Sequence, residues 1–302
     1  MNRPLWPVYA CLVLIQVFFG LHYLAAKIVL SEIPPALWAL MRVSAAALLV
    51  ALVARLAGRK LPRSGAVLGR LALYSIFGVV INQLCFVEGL SRTTPAHSSI
   101  LITAIPIGTL MFAILLRRER LTWPKLISFA VALAGVLLVL QPSGAGWDTP
   151  IVRGDLLILT NALSYSLFLV LSKNLLGRVD PLAATVVLLG FGSVGMLIPG
   201  LPALAGFDPS TVSWSTWGLG ILIVVFPTAL AYLLSYWALS RVESSRVAFF
   251  IYLQPLIAAS LSFAIFGERL GGAALGGAAL IFLAVFVALR SGPVAVQSQS
   301  RE

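Results

Sequence analysis

Ten apolar stretches, each long enough to cross a bilayer, fill this chain, and the second five repeat the first five at a nearly fixed offset. Pro106 and Pro255 stand 149 residues apart, as do Glu119 and Glu268, Arg120 and Arg269, and Leu121 and Leu270. Leu90-Ser91-Arg92 recurs at the same distance as Leu239-Ser240-Arg241. An odd number of spans per copy turns the second copy upside down in the membrane. Inverted repeats of this kind are characteristic of secondary transporters, whose substrate site lies between the halves near the bilayer midplane. The expectation is an all-α integral membrane protein of ten transmembrane helices. They form two inverted five-helix repeats, residues 1–145 and 146–302, around a central cavity.

Composition excludes the soluble classes. Hydrophobic residues make up 60% of the 302 residues and charged residues 10%, against about 25% charged in soluble domains. Mean hydropathy is +1.02. The expected spans are Pro7–Leu30, Pro35–Ala57, Arg70–Leu90, Ala96–Leu116, Trp123–Leu140, Gly154–Leu176, Pro181–Leu204, Trp214–Leu239, Ser245–Phe266 and Gly271–Arg290. They use nearly the whole chain, which leaves no room for a soluble domain. The first apolar run is longer than the core of a cleaved signal peptide and reads as a retained span.

A net charge of +11 would suit nucleic acid, but the basic residues sit between spans. They read as topology signals and contacts to anionic headgroups. With the N-terminus inside, the cytoplasmic set is Arg3, Arg55, Arg59, Lys60, Arg63, Arg70, Arg117, Arg118, Arg120, Lys125, Lys173, Arg178, Arg241, Arg246, Arg290 and Arg301. Only Arg92, Arg153 and Arg269 fall outside, so sixteen stand against three and both termini are expected in the cytoplasm. The expected location is the inner (plasma) membrane. Cys11 and Cys85 fall near opposite ends of their spans and predict no disulfide. No metal-ligand spacing is present, and no cofactor is expected.

Together these motifs resemble the drug/metabolite transporter superfamily, and within it the EamA-type exporters. The fourth and ninth spans carry that family's proline-to-Glu-Arg-Leu pattern as Pro106…Glu119-Arg120-Leu121 and Pro255…Glu268-Arg269-Leu270. Tyr236-Trp237-Ala238-Leu239 is similar to its aromatic-Ala-Leu ending, and Arg42 stands where the family has an intramembrane arginine. Gly276-Gly277-Ala278-Ala279-Leu280-Ile281 matches its glycine-rich tenth span. Two positions depart: Val87-Glu88-Gly89-Leu90 is a degraded copy of the aromatic ending, and Phe19-Gly20 replaces a common Trp-Gly pair. The resemblance implies export of small metabolites, with amino acids and related compounds prominent.

Polar side chains inside spans mark candidate pathway residues, because hydrocarbon penalises them. Gln16, Phe19, Gly20, Tyr23 and Lys27 lie on one face of the first span. Asn161, Ser164, Tyr165, Phe168 and Ser172 have the same spacing in the sixth, 145 residues on. Such stripes line a cavity or join helices. Asn82 is the most polar mid-depth residue of the third span, Pro227 predicts a kink in the eighth, and Tyr232 and Tyr252 add amphipathic rings. The expected substrate-binding set is Gln16, Gly20, Tyr23, Asn82, Asn161, Tyr165, Tyr232 and Tyr252.

Arg42 lies about 10 Å deep at 1.5 Å per residue from Pro35. With Lys27 and Glu88 it could form an outer charged cluster, and with Pro227 these are the gating candidates. The alternative is a snorkelling Lys27 beside a structural Arg42–Glu88 pair. Glu88 and Asp155 are the carboxylates open to proton coupling. Glu119 and Glu268 suit anchoring of the next helix, and His22 falls off the polar stripe.

The reading is therefore a secondary transporter, working as a monomer among membrane lipids on a small-molecule substrate, with no nucleic-acid partner. Amino acids lead; organic cations, drugs and nucleotide-sugars are the substrate alternatives. An intramembrane enzyme would need a catalytic constellation at one depth, and the sequence offers neither a Ser/His pair nor facing aspartates. A purely structural protein leaves the paired polar stripes unexplained.

Overall fold

The computed structural model describes residues 6–140, 149–242, 244–267 and 270–290. Arg3, Ser143, Glu268, Arg269 and Arg301 lie outside the described residues, as do the side chains of Arg246 and Arg290. Among the described residues all regular structure is helical.

Seven helices are long and apolar enough to span a membrane. They are α1 (Trp6–Val29), α2 (Pro35–Leu56), α3 (Gly65–Arg92), α4 (Pro95–Leu115), α6 (Pro150–Leu176), α7 (Pro181–Gly200) and α8 (Trp214–Arg241). Three shorter apolar segments complete the set. They are α5 (Trp123–Val139), α9, built of Ser244–Phe249, a 3-10 turn Phe250–Tyr252 and Leu253–Phe266, and α10 (Gly272–Arg290). Proline stands in the first turn of α2, α4, α5, α6 and α7, where its missing N–H leaves no helical bond unmade. The helix α3 starts before the expected Arg70, and α7 stops at Gly200 rather than Leu204, because Pro202 opens a separate 3-10 turn.

The outward faces of the helices carry many large apolar side chains. Leu48, Ile198 and Ile221 are 73%, 82% and 65% exposed, a pattern that only a hydrocarbon solvent tolerates at this density. Trp6, Trp123 and Trp214 are exposed at helix starts, where an amphipathic ring favours the headgroup layer.

The two halves interlock. The first helix of each half packs between the third and fourth helices of the other: α1 against α8 and α9, and α6 against α3 and α4. The closest approaches are at small residues, which let backbones near each other. A Cβ on Gly20 would stand 2.6 Å from Ile257, and one on Gly108 would stand 2.6 Å from the Ser166 hydroxyl. Gly20 and Ser166 are 146 apart and Gly108 and Ile257 are 149 apart, so the two contacts are the same contact made twice. The helix α2 runs along α7, and α5 along α10.

Both α3 and α8 contain a π-helical stretch, Ile76–Ile81 and Val224–Leu230. Gly78 and Pro227 are 149 apart and occupy matching places in them. Each stretch frees backbone carbonyls that need donors. In α3 the Phe77 carbonyl accepts the Ser164 hydroxyl of α6 at 2.8 Å. In α8 the Ile223 carbonyl accepts the Thr228 hydroxyl, also at 2.8 Å. Breaks in α4 at Thr103 and in α9 at Tyr252 also match at 149.

Candidate functional site

A cavity lies where α1, α3, α4, α6, α8 and α9 meet, with Arg42 of α2 on its wall. It holds about 720 Å³ of space free of protein atoms, open solvent included, within the range of small-molecule sites. Gln16, Tyr23, Asn82, Asn161, Tyr165 and Tyr232 all line it, as does Arg42. Gly20 is turned into the contact with Ile257 instead. Tyr252 sends its hydroxyl to the Thr103 carbonyl at 3.4 Å and packs on Phe282.

The polar wall is a connected network. The Tyr23 hydroxyl donates to Gln254 Oε1 at 2.8 Å, and Gln254 Nε2 donates to Gln16 Oε1 at 2.6 Å. This joins α1 to α9 by buried bonds. On the other wall the Tyr232 hydroxyl donates to Asn82 Oδ1 at 3.1 Å and accepts from Gln83 Nε2. Asn161 Nδ2 donates to the Asn82 backbone carbonyl at 2.6 Å. Gln83 and Tyr232 are 149 apart, as are Thr103 and Tyr252, so each of these two bonds links matching positions of the two halves.

Gln83, Gln254, His22 and Ser235 also line the cavity, beyond the set expected from sequence. Gln83 is the second residue after the π-helical stretch. The widened turn rotates what comes after it, so Asn82 and Gln83 both reach the cavity although a regular helix would divide them. His22 stacks on Phe86, with ring centroids 5.0 Å apart, and its Nε2 meets Arg42 Nη1 at 2.9 Å. The sequence signal available for it was the depth of Arg42, which demands a partner from a neighbouring helix.

The outer charged cluster does not assemble. Glu88 pairs with Arg92 on its own helix, with 2.6 Å between Oε2 and Nη1. Lys27 reaches the carbonyls of Leu90, Ser91 and Thr93 at 2.8, 3.2 and 2.6 Å. Four-residue spacing favours the Glu88–Arg92 pair, and an ammonium gains more by capping a helix C-terminus than by crossing to Glu88. Lys173 repeats the Lys27 arrangement, donating to the carbonyls of Leu239 and Val242 at 2.6 and 2.7 Å. Those carbonyls match Leu90 and Thr93 at 149, while the lysines are 146 apart. The first and sixth helices therefore align at 146 rather than 145, and Tyr165 is the counterpart of Phe19. Pro227 is buried in its π-helical stretch and is not among the cavity residues.

Asp155 accepts the Thr93 hydroxyl at 2.5 Å and faces His97 Nδ1 at 3.1 Å, outside the cavity wall. Glu119 holds the buried Lys125 at 2.9 Å, anchoring the start of α5. Both cysteines are free thiols.

The profile of the EamA-like transporter family matches residues 6–141 and again residues 152–290. An uncharacterized transporter of Archaeoglobus fulgidus is 25% identical over 92% of this chain and 97% of its own length. A probable terminal-alkyne amino-acid exporter of Streptantibioticus cattleyicolor is 26% identical, over 93% of this chain and 91% of its own. One solved crystal structure superposes with a TM-score of 0.65 over 93% of this chain and 96% of that one, at 20% identity, which speaks to the fold. With two matched blocks covering nearly all of its length, the chain is a multi-pass membrane protein that belongs to the EamA-like transporter family of the drug/metabolite transporter superfamily.

Proposed function

We propose that the chain crosses the plasma membrane ten times, as two inverted five-helix repeats with both termini in the cytoplasm, and exports amino acids or similar small amphipathic metabolites by alternating access. The observation that carries the reading is the cavity between the halves. Its wall combines amides and phenols with the rings and branched chains of Phe19, Phe86, Ile102, Ile105 and Ile251. Such a wall orients a compact polar group while burying an apolar one. The matched bonds Gln83–Tyr232 and Thr103–Tyr252 support a two-fold relation between the copies, since equivalent positions meet near an axis that relates them; the odd number of spans per copy makes that relation inverted. The exporter similarity of the Streptantibioticus protein favours amino acids over organic cations or nucleotide-sugars.

The test is flux of labelled amino acids across liposomes containing the purified protein. Movement of apolar or aromatic amino acids, reduced at least tenfold by Asn82→Ala or Tyr165→Ala in folded protein, is the expected result. Robust movement of a nucleotide-sugar or organic cation with none of any amino acid would replace the substrate class. Cysteines placed at Ser143 and Ser210 should label from outside; labelling only from the cytoplasm would reverse the topology.

A further inference from the structure

We infer that Arg42 is the anion-binding subsite of the cavity, and that the ligand is an organic carboxylate whose ammonium group is taken by the amide oxygens of Gln83 and Asn161. The inference rests on the transport reading above and adds which end of the ligand binds where.

Arg42 is 1% exposed, and among the described residues it is the one cavity side chain with a permanent charge and no carboxylate lines the wall. Among the described residues, the carboxylates of α3 and α6 are engaged elsewhere: Glu88 with Arg92, and Asp155 with Thr93 and His97. Its contact at Nη1 is the His22 ring nitrogen, and Nε has no hydrogen-bond partner among the described residues. A buried cation without a counter-charge is costly. The Nε edge of a guanidinium presents parallel N–H groups that fit the two oxygens of a carboxylate. A ligand carboxylate would supply both the missing charge and the missing acceptor.

The part of the wall formed by α3 and α6 has the complementary deficiency. Gln83 Oε1 and Asn161 Oδ1 are buried and unpartnered. The orientation of the Asn161 amide is fixed by its donor end. Asn161 Nδ2 faces a backbone carbonyl, which can only accept, and Gln83 Nε2 faces Tyr232 and Asn82 Oδ1. Two acceptors therefore lack donors, and one donor edge lacks an acceptor. An ammonium group donates only and a carboxylate accepts only, so an amino acid matches both with its side chain left to the apolar wall. An organic cation without a carboxylate would bring its charge to Arg42 with no compensation. Among the described residues a phosphate ester would meet a single guanidinium and no second cation.

Four related compounds separate these claims: phenylalanine, phenylalaninamide, 3-phenylpropionate and phenethylamine. Each is tested for competition with labelled phenylalanine in liposomes and for thermal stabilisation of the protein in detergent. Phenylalanine should compete and stabilise best. 3-Phenylpropionate should follow about tenfold weaker, and the two compounds lacking a carboxylate should fall a further tenfold or more, as expected for loss of a charge-assisted pair. Arg42→Gln should lose at least tenfold toward phenylalanine while its weak response to phenylalaninamide stays unchanged. Arg42→Lys should recover part of the loss, lacking the fork. Equal competition by phenylalanine and its amide in the unaltered protein would overturn the inference without any variant. So would full phenylalanine flux by Arg42→Gln. If no amino acid is transported, the substrate reading fails by itself. The subsite is then judged by stabilisation alone: preference for 3-phenylpropionate over phenethylamine sustains it, and the reverse or no preference refutes it.

Discussion

The two halves of this protein share their scaffold and differ in their chemistry. Lys27 and Lys173 bind matching carbonyls, and α3 and α8 widen at matching turns. Arg42, by contrast, has Leu188 at the corresponding place, 146 residues on, the spacing at which Pro35 and Pro181 open the two helices. Gly78 answers to Pro227, and Gln83 to Tyr232. Features of the scaffold are kept in both copies. The charged side chain on the cavity wall appears in one copy.

The comparison is most easily broken at the crossing of α3 and α6. A Cβ on Gly154 would stand 2.8 Å from the Gly89 carbonyl, and neither backbone can give way. The matching positions of the other half hold Val8 and Ala238, both buried. Gly154→Val therefore copies one half onto the other, and should cost about 3 kcal/mol or more by overpacking. The readout is the yield and melting temperature of purified protein; an unperturbed protein would mean that both crossings are equally open.

The paired lysines come next. Lys27→Met and Lys173→Met each leave helix-terminal carbonyls without a charged donor, a loss of about 2 kcal/mol. Melting temperatures should fall by similar amounts in the two variants. A neutral Lys173→Met beside a damaging Lys27→Met would end the equivalence that fixes the 146 alignment.

The π-helical turns sharpen the contrast, because here the halves should respond unequally. A Cβ on Gly78 would press to 2.4 Å from the fully buried Phe168 ring. Gly78→Ala should cost about 1.5 kcal/mol, and Pro227→Ala less than about 1 kcal/mol. Denaturation of the two variants side by side measures this.

The smallest effect is at Glu32, in the loop before α2. Its carboxylate accepts from the Ser213 backbone N–H at 2.7 Å and from the Thr216 hydroxyl at 2.9 Å, and also from the Ser213 hydroxyl. These bonds, the backbone one foremost, hold its pKa below the ordinary carboxylate value of 4.5. A lowered folded-state value stabilises above the ordinary one and is lost as pH falls through the lowered one. The melting temperature of Glu32→Gln should thus trail the parent slightly at pH 7 and converge with it toward pH 3. A constant gap across that range would assign the contact no electrostatic part.

Much of this was legible from residues alone, and the failures have physical causes. Span positions follow from apolar length, and six of the eight expected binding residues reach the cavity because a polar stripe has few other places to go in a bilayer. The 145 spacing missed by one residue because positions three and four apart share a helix face. Neighbouring registers therefore overlay polar stripes almost equally well; the lysine contacts decide between them. Gln83 escaped notice because the π-helical stretch adds a residue to one turn, which a regular period cannot register. The charged cluster was an error of range. Glu88 has Arg92 one turn away, and a local partner outcompetes distant ones.

The bond between Gln83 and Tyr232 has a consequence for the balance of states. If the halves exchange roles as the proposed alternating access requires, identical halves would give inward-open and outward-open forms of equal free energy, each half populated. An amide in one half and a phenol in the other, at positions the exchange would swap, remove that degeneracy. A difference of about 1.4 kcal/mol already makes one form ten times more abundant than the other. Under the proposed cycle the resting orientation of the empty protein rests on unlike residues at like positions, and Gln83→Tyr or Tyr232→Gln would shift the balance between the two forms.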